Sequence, residues 1–563
     1  MTNDSIQAAL EAVLRDMGVE DAAIKLERPR DPTHGDVATN VAMILAGRLR
    51  RPPRAIAEEI VKRLDRDAAG VDSAAVAGPG FINFHLASGD LASSLLDVIE
   101  ANEAFGRSAT GADQAISVEF VSANPTGPLH LGHGRQAALG DAIAALLQWT
   151  GWKVHREFYY NDAGVQIERL AQSVRARYLQ QSGRAADLPE QGYHGQYVTD
   201  LATRLAEEVG DRYVEDEGTG ALDAMRQFAV RMLREEQDRD LGDFRVHFDC
   251  HYLETSLYSD GRVQDTTDRL KATGLTYERD GALWFRSTEF GDQKDRVMIK
   301  GDGHPTYFLP DVAYHLTKWE RGFQHAINVQ GADHHGTVAR VRAGCRALGL
   351  PEGYPEYVLH QMVTVEQGGE EVKFSKRAGA YTTLRELYEK VGVDVARYFF
   401  QWRKPDAHLL FDLDMALDQS DKNPVYKIQY AHARMCSIFG KAGLEPDDID
   451  GSGADLARLD HELERELIKQ IGELPGTLSR AAAARAPHIL CDYLDRTAGA
   501  VNSWYHAGNP SRNPELAVLV DDAGLRAARL VLARAVQIVL RNGLAVLGLT
   551  SPRRLERADS TQD

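Results

Sequence analysis

The sequence predicts an α/β protein of three units: an α+β unit at the N-terminus, a doubly wound α/β unit carrying an insertion, and an all-helical unit at the C-terminus. Three observations predict it. From about 111 to 415, strand-like and helix-like segments alternate, the pattern of a parallel sheet wrapped by helices. From about 416 onward the apolar residues fall only into helical stripes, Leu490, Leu494, Val501 and Trp504 on one and Leu525, Leu532, Val536 and Val539 on another. The 563 residues also exceed what one hydrophobic core organises.

Composition sets the class. Hydrophobic residues make up 43% and charged residues 26%, which suits a soluble globular protein. No apolar run approaches the ~18 residues that span a bilayer. The start, Met1-Thr-Asn-Asp-Ser5, is acidic, unlike a basic signal-peptide lead. Cys250, Cys345, Cys436 and Cys491 are scattered, which fits a reducing compartment and gives no zinc ligand set. A net charge of −18 argues against general nucleic-acid affinity, but arginines cluster at 48, 50, 51 and 54 and again at 526, 529, 534 and 541. Each cluster reads either as a local basic patch or as a solvated helix face.

Along the chain, helical patterns over 5–17, 39–49 and 55–64 precede a strand over 81–86, entered through Gly78-Pro79-Gly80. Alternation on that strand buries one of Phe81 and Phe84. A strand over 116–121 then leads into Ser122-Ala-Asn-Pro-Thr-Gly-Pro-Leu-His-Leu-Gly-His-Gly-Arg135, and a helix runs from Leu131 to Trp149. Strand, Gly/Pro turn and helix N-terminus together favour an anion. His130 and His133, three apart on the first turn, share one side and reach toward a docked phosphate chain. They are also half a metal site, without further ligands to complete it.

The stretch from about 165 to 300 interrupts the alternation with charged helices and a β-rich piece over 282–285, and reads as an insertion. A second basic run, Glu371-Val-Lys-Phe-Ser-Lys-Arg377, follows the strand-like 362–365 and the turn Gly368-Gly369. Thr383 then starts a helix, with Glu386 completing a capping box. A loop carrying Lys373, Ser375, Lys376 and Arg377 suits closure over phosphates, although by itself it is a solvated charge run. The polar tail 556–563 receives no role.

Together, in this order, the histidine and lysine runs resemble the two signatures of a class I aminoacyl-tRNA synthetase. Seven pieces narrow the resemblance to bacterial-type arginyl-tRNA synthetases over nearly the whole chain: His34–Asn40, Ala77–Phe84, Ser122–Pro125, Phe158–Gly164, Thr306–Asp311, Gly331–His335 and Asn423–Arg434. The resemblance implies a Rossmann-like catalytic domain over 111–415 with an inserted subdomain at about 165–300. It implies a tRNA D-loop recognition domain over 1–110 and an anticodon-binding bundle over 416–563. The implied reaction activates L-arginine with ATP to arginyl-adenylate, then transfers it to the terminal adenosine of arginine tRNA, releasing pyrophosphate and AMP.

The roles it implies are as follows. His130, His133, Lys373 and Lys376 are catalytic. ATP is held by Gly132, Asp333, His334, Phe374 and Ser375 together with His130, His133 and Lys376. Arginine is held by Glu119, Asn124, Glu254, Tyr307 and Asp311, and tRNA by Phe81, Asn83, Tyr426, Gln429 and Tyr430. Mg2+ arrives with ATP, no zinc or tightly bound cofactor is needed, and the enzyme is a cytoplasmic monomer. Phe374 stands where the family has Met. Physical chemistry agrees with the amino acid: a guanidinium has five donors and no acceptor, so its pocket needs carboxylates and carbonyls. Taken singly, each acid reads as surface charge among 83 Asp and Glu. Two other classes stay open. A nucleotidyltransferase without tRNA would not need the C-terminal bundle or the 78–84 segment. A non-catalytic relative would have lost histidines or lysines that are all present here.

Overall fold

The computed structural model describes residues 2–27, 29, 34–86, 88–162, 164–216, 218–372, 382–509 and 511–555. The basic run from Lys373 to Arg377, and with it Lys373, Phe374, Ser375 and Lys376, lies outside them, as does the tail.

At the centre is a five-stranded parallel sheet. Its spatial order is Glu356–His360, His325–Gly331, Ala115–Glu119, Lys153–Tyr160 and Cys250–Leu253. Numbered along the chain that order is 5-4-1-2-3. The order therefore reverses between Ala115–Glu119 and His325–Gly331, and ligands of such sheets bind at that crevice, beyond the strand C-termini. The two middle strands are buried on both faces: Ile116, Ser117 and Val118 of one and Ile327, Asn328 and Val329 of the other are fully buried.

The helix Leu131–Trp149 matches its expected bounds and buries 13 residues. It lies close to the sheet because Gly140 faces Phe120, where a Cβ would come within 2.2 Å of the ring. Gly134 does the same toward Leu384 and Phe400 of the helices Leu384–Val391 and Val393–Gln401.

The stretch expected as one insertion is in two parts. Helices Val165–Gln181, Gln196–Val209 and Thr219–Asp243 share a core of their own, with Leu170, Val174, Tyr178, Met225 and Leu233 at its centre. A small antiparallel sheet, Thr276–Arg279, Ala282–Phe285 and Arg296–Ile299, follows. Between them the short strand Cys250–Leu253 returns to complete the central sheet. Four residues of mixed polarity carry too little pattern to announce a core strand.

The N-terminal unit is an antiparallel sheet in the order Leu26–Glu27, Val37–Thr39, Phe81–Leu86, Val71–Ala77, packed under helices. Phe84 is fully buried and Phe81 is 38% exposed, so the alternation resolves with Phe81 outward. The C-terminal bundle comprises Pro424–Ala442, Glu462–Gly472, Leu474–Ala484, His488–Ala507 and Ala523–Val546. Of the apolar stripes, Leu490, Leu494, Val501, Leu532, Val536 and Val539 are fully buried. Two of the late arginines turn inward, neither patch nor solvated face: Arg529 is buried against Glu464 at 2.6 Å, and Arg534 against Asp447 at 2.7 Å. No helix among the described residues is long and apolar enough to cross a membrane.

Candidate active site

The histidine run turns at the C-terminal edge of Ala115–Glu119, at the crevice where the strand order reverses. His130 is the N-cap. Its Nδ1 accepts from the backbone N–H of Gly132 at 3.1 Å and of His133 at 3.3 Å. His133 answers, its Nδ1 accepting from the His130 N–H at 3.3 Å. The rings stack, centroids 3.6 Å apart.

With both Nδ1 atoms used as acceptors, the neutral rings carry their protons on Nε2. Burial, then the neighbouring His130 and His360, hold His133 well below the usual histidine range. Burial lowers His130 too, against the pull of Asp333. The pair is therefore neutral at pH 7 and presents two N–H donors beside a helix N-terminus, a combination suited to phosphate oxygens.

Gly132 lies beneath the His130 ring, which a Cβ would meet at 2.9 Å, so its first task is to let the imidazole fold over the turn. Arg135 turns inward, fully buried, donating to the carbonyls of Gln361 at 2.7 Å, Ala407 at 3.0 Å and Lys404 at 3.0 Å. Leu384 N–H donates to Leu129 O at 2.8 Å, and Thr383 caps its helix with Glu386 in the expected capping box. Both segments flanking the lysine run are thus tied to the histidine run. Asp333 and His334 stand exposed just past Gly331, at the edge of the same crevice.

A second group gathers at the strand ends. Burial pushes the Asp311 carboxyl up to about 7; Arg340 opposes this, and the charges of Glu254 and Glu119 add to it. Glu254 is buried and its carboxyl is raised by burial, with Tyr159 beside it pulling the other way. Burial and the charges of Glu254 and Asp311 push the Tyr159 phenol up, so it stays a neutral donor. Gln330, two residues beyond the Asn328 that pairs with Glu119, buries a side-chain oxygen that has no partner. Tyr307 stands 67% exposed one residue before the helix Phe308–Glu320.

Two expected arginine ligands are already engaged. Glu119 is 4% exposed; Lys318 donates to it at 2.6 Å and Ser122 at 2.9 Å. Asn124 donates to Gln166 at 2.7 Å. Sequence reasoning missed Lys318, Tyr159 and Gln330. A lysine in the helical stretch 308–320 gives no sign that it will be fully buried beneath the sheet.

The tRNA residues divide. Phe81 is outward at the start of its strand, while Asn83 beside it is 7% exposed. Tyr426 and Gln429, placed toward a nucleotide by the sequence reading, are buried. The Gln429 amide donates to Asp394 at 2.7 Å and to Thr550 O at 3.0 Å, holding the first bundle helix to the catalytic unit and to the segment after the last bundle helix. Tyr430 is half-buried, stacked on Tyr426 at 5.6 Å and overlaid by Arg434 at 4.3 Å.

Among the described residues one trio has metal-ligand chemistry, His155, Glu157 and Cys250 on adjacent strands. Glu157 already accepts from Tyr314 at 2.7 Å, from His155 at 3.2 Å and from Arg321. Burial works against its ionisation, but these donors and the charge of Lys318 hold its carboxyl below the usual range. The trio reads as a neutralised buried carboxylate.

Three family models match the chain in succession: the arginyl-tRNA synthetase N-terminal domain over residues 2–86, the class I (R) tRNA synthetase catalytic domain over 95–404, and the DALR anticodon-binding domain over 428–555. The chain belongs to the arginyl-tRNA synthetases. The arginine–tRNA ligase of Thiobacillus denitrificans is 50% identical over 557 residues, 98% of each chain. That of Geobacter metallireducens is 50% identical over 544 residues, 95% of each. The Thermus thermophilus arginyl-tRNA synthetase structure shares the fold, with a TM-score of 0.75 at 24% identity, covering 99% of this chain and 100% of that one. The synthetase reading of the two runs thereby prevails over a tRNA-independent nucleotidyltransferase.

Proposed function

We propose the following division of labour for the arginine–tRNA ligase activity that family membership gives this chain. ATP docks at the crevice with its phosphates on the Leu131–Trp149 helix N-terminus, where the Nε2–H groups of His130 and His133 donate to oxygens. Gly132, Asp333 and His334 border the nucleotide. Phe374 and Ser375 complete the ATP contacts, and Lys373 and Lys376 neutralise the β and γ phosphates as they leave. Mg2+ comes bound to ATP, which needs no protein cage for it.

The arginine side chain enters between Glu254 and Asp311, with Tyr159, Tyr307 and the orphan oxygen of Gln330 around it. Glu119, neutralised by Lys318, and Asn124 border the α-amino end. The arginine carboxylate is ionised at pH 7 and attacks the α-phosphorus directly, so no general base is needed. The α-phosphorus–oxygen bond to pyrophosphate breaks, and arginyl-adenylate forms. The 2′-hydroxyl of the terminal adenosine then attacks the arginyl carbonyl and AMP departs. Catalysis rests on positioning and on charge stabilisation at phosphorus.

The observation that carries this reading is the acidic pair: two carboxyls, Asp311 and Glu254, held above their ordinary range by burial and close enough for the charge of Glu254 to raise Asp311 further. Such a pocket gains most from a ligand that brings a planar cation with many donors. We further assign the unit boundaries near 110 and 415, a monomeric state and a cytoplasmic location, in keeping with free cysteines and a translation enzyme. ATP–pyrophosphate exchange with arginine, run with and without arginine tRNA, tests the assignment. Arginine-dependent exchange supports it, and exchange indifferent to arginine defeats it.

A further inference from the structure

The motif His34-Gly35-Asp36 has no part in either site, yet Asp36 is buried and charged. Gly35 is needed because its φ is +95° and a Cβ would sit 2.7 Å from Phe84 O. That close crossing turns the Asp36 side chain out of the N-terminal sheet. One carboxylate oxygen accepts from Leu86 N–H at 2.7 Å, and the other pairs with Lys469. Lys469 lies on Glu462–Gly472, a helix of the C-terminal bundle. One turn earlier on the same face, Arg465 donates to Leu86 O at 3.4 Å.

Beside this pair lies an open cleft of about 1560 Å3, lined by Asp36 and Leu86 on one side and Lys469 and Glu473 on the other. The strand ends at Leu86 and the next helix begins at Ser88 and packs on the bundle. The sheet itself, unlike the helix Ser88–Ala101, meets the bundle through these polar groups, and a narrow polar contact permits relative motion unless something fixes it. The Asp36 end of this pair lies in the same sheet that carries Phe81, since Val37–Thr39 pairs with Phe81–Leu86.

We propose that Asp36 and Lys469 are positioning residues for tRNA, setting the angle between the Phe81 end of the N-terminal sheet and the Tyr430 face of the bundle. This rests on the tRNA-contact reading above. Two contacts on one rigid tRNA gain from each other only while their separation on the enzyme matches that on the RNA. Loss of the pair therefore acts on tRNA use and leaves the small-substrate site alone.

The test uses the full chain and an arginine tRNA transcript. Wild type, Lys469→Met, Lys469→Arg, Asp36→Asn, the Asp36→Asn/Lys469→Met double variant and Phe81→Ala are compared by tRNA kinetics at saturating ATP and arginine, by KM for ATP and arginine at saturating tRNA, and by thermal melting. Lys469→Met and Asp36→Asn are expected to raise KM for tRNA about tenfold, with kcat and the other two KM values within about twofold. Lys469→Arg restores tRNA use, and the double variant is no worse than the singles. An unchanged KM for tRNA in folded Lys469→Met overturns the proposal, as does an equal rise in all three KM values. If Asp36→Asn does not fold, Lys469→Met decides, because its side chain is partly exposed at the cleft. If Phe81→Ala leaves tRNA use untouched, the underlying tRNA-contact reading falls and this proposal with it. If Phe81→Ala impairs tRNA use and Lys469→Met does not, only the positioning role falls.

Discussion

At the scale of single residues, protonation decides the pocket. The Asp311 carboxyl sits at about 7 because burial disfavours its charge. A guanidinium prefers the carboxylate, so the dissociation constant for arginine is expected to rise as pH falls below about 7, approaching tenfold per pH unit for one coupled proton. Calorimetry in buffers of different ionisation enthalpy would show arginine binding releasing protons near pH 6 and none near pH 9. Asp311→Asn would flatten this profile and weaken arginine while leaving ATP binding intact; equal loss of both would make the residue a support of the fold. Because the folded pKa lies above the unfolded one, the unliganded chain binds the extra proton. Its stability therefore falls as pH rises from the ordinary carboxylate range through about 7, and arginine reverses that loss. Phe81 offers a second residue-scale outcome. Stacking of a base on a ring contributes roughly 1–3 kcal/mol, so Phe81→Ala should raise KM for tRNA with little change in melting. Phe84→Ala, at a fully buried position, should instead cost about 3–5 kcal/mol of stability. The reverse pattern in the two melts would assign Phe81 to packing. Lys376→Ala should remove about 2–4 kcal/mol of transition-state stabilisation, read as a fall in exchange rate at saturating ATP; wild-type turnover would remove the lysine run from catalysis.

At the scale of elements, one helix carries the proposed phosphate site and its placement depends on glycine. Gly140→Ala would force a methyl into Phe120, whose ring the ideal Cβ meets at 2.2 Å. Such overpacking typically costs about 1–3 kcal/mol. The helix should also shift away from the sheet, carrying His130 and His133 out of line, so ATP affinity should fall along with stability. Denaturant unfolding and nucleotide titration check both, and a fully stable variant with normal ATP affinity would show that the helix has room. Helix bounds were legible here because apolar periodicity and the Gly/Pro turn agree. The Cys250–Leu253 strand was not, since its place comes from pairing with Lys153–Tyr160 across some ninety residues of intervening chain.

At the scale of the whole molecule, Arg397 joins the catalytic unit to the end of the bundle. It is fully buried, pairs with Asp141 at 2.5 Å, and donates to Phe244 O at 2.9 Å and Leu547 O at 3.3 Å. Nearby, Asp394 receives Arg245 at 2.5 Å and Gln429 at 2.7 Å. Arg397→Met would leave a carboxylate and two carbonyls poorly satisfied, and losing one partner of a buried pair costs about 3–5 kcal/mol. Calorimetry should show the melting temperature fall and the catalytic and bundle transitions separate. A single unshifted transition would mean the units are held together by apolar packing alone.

By itself the sequence determined the three-unit plan, the strand–turn–helix at the histidines, the cap at Thr383 and the outward or inward choice on the Phe81 strand to within one alternation. These are local: periodicity, turn residues and caps act within a few neighbours. Tertiary structure alone decided which acids are buried with their carboxyls raised and which are already neutralised. Glu119 is close in sequence to the histidine run, yet its carboxylate is taken by Lys318, 199 residues away. Gln429 sits in a motif read as nucleotide-facing, and its amide is held by Asp394 and Thr550. Charge pairing and desolvation depend on what the fold brings within a few ångströms, and no local pattern records that distance.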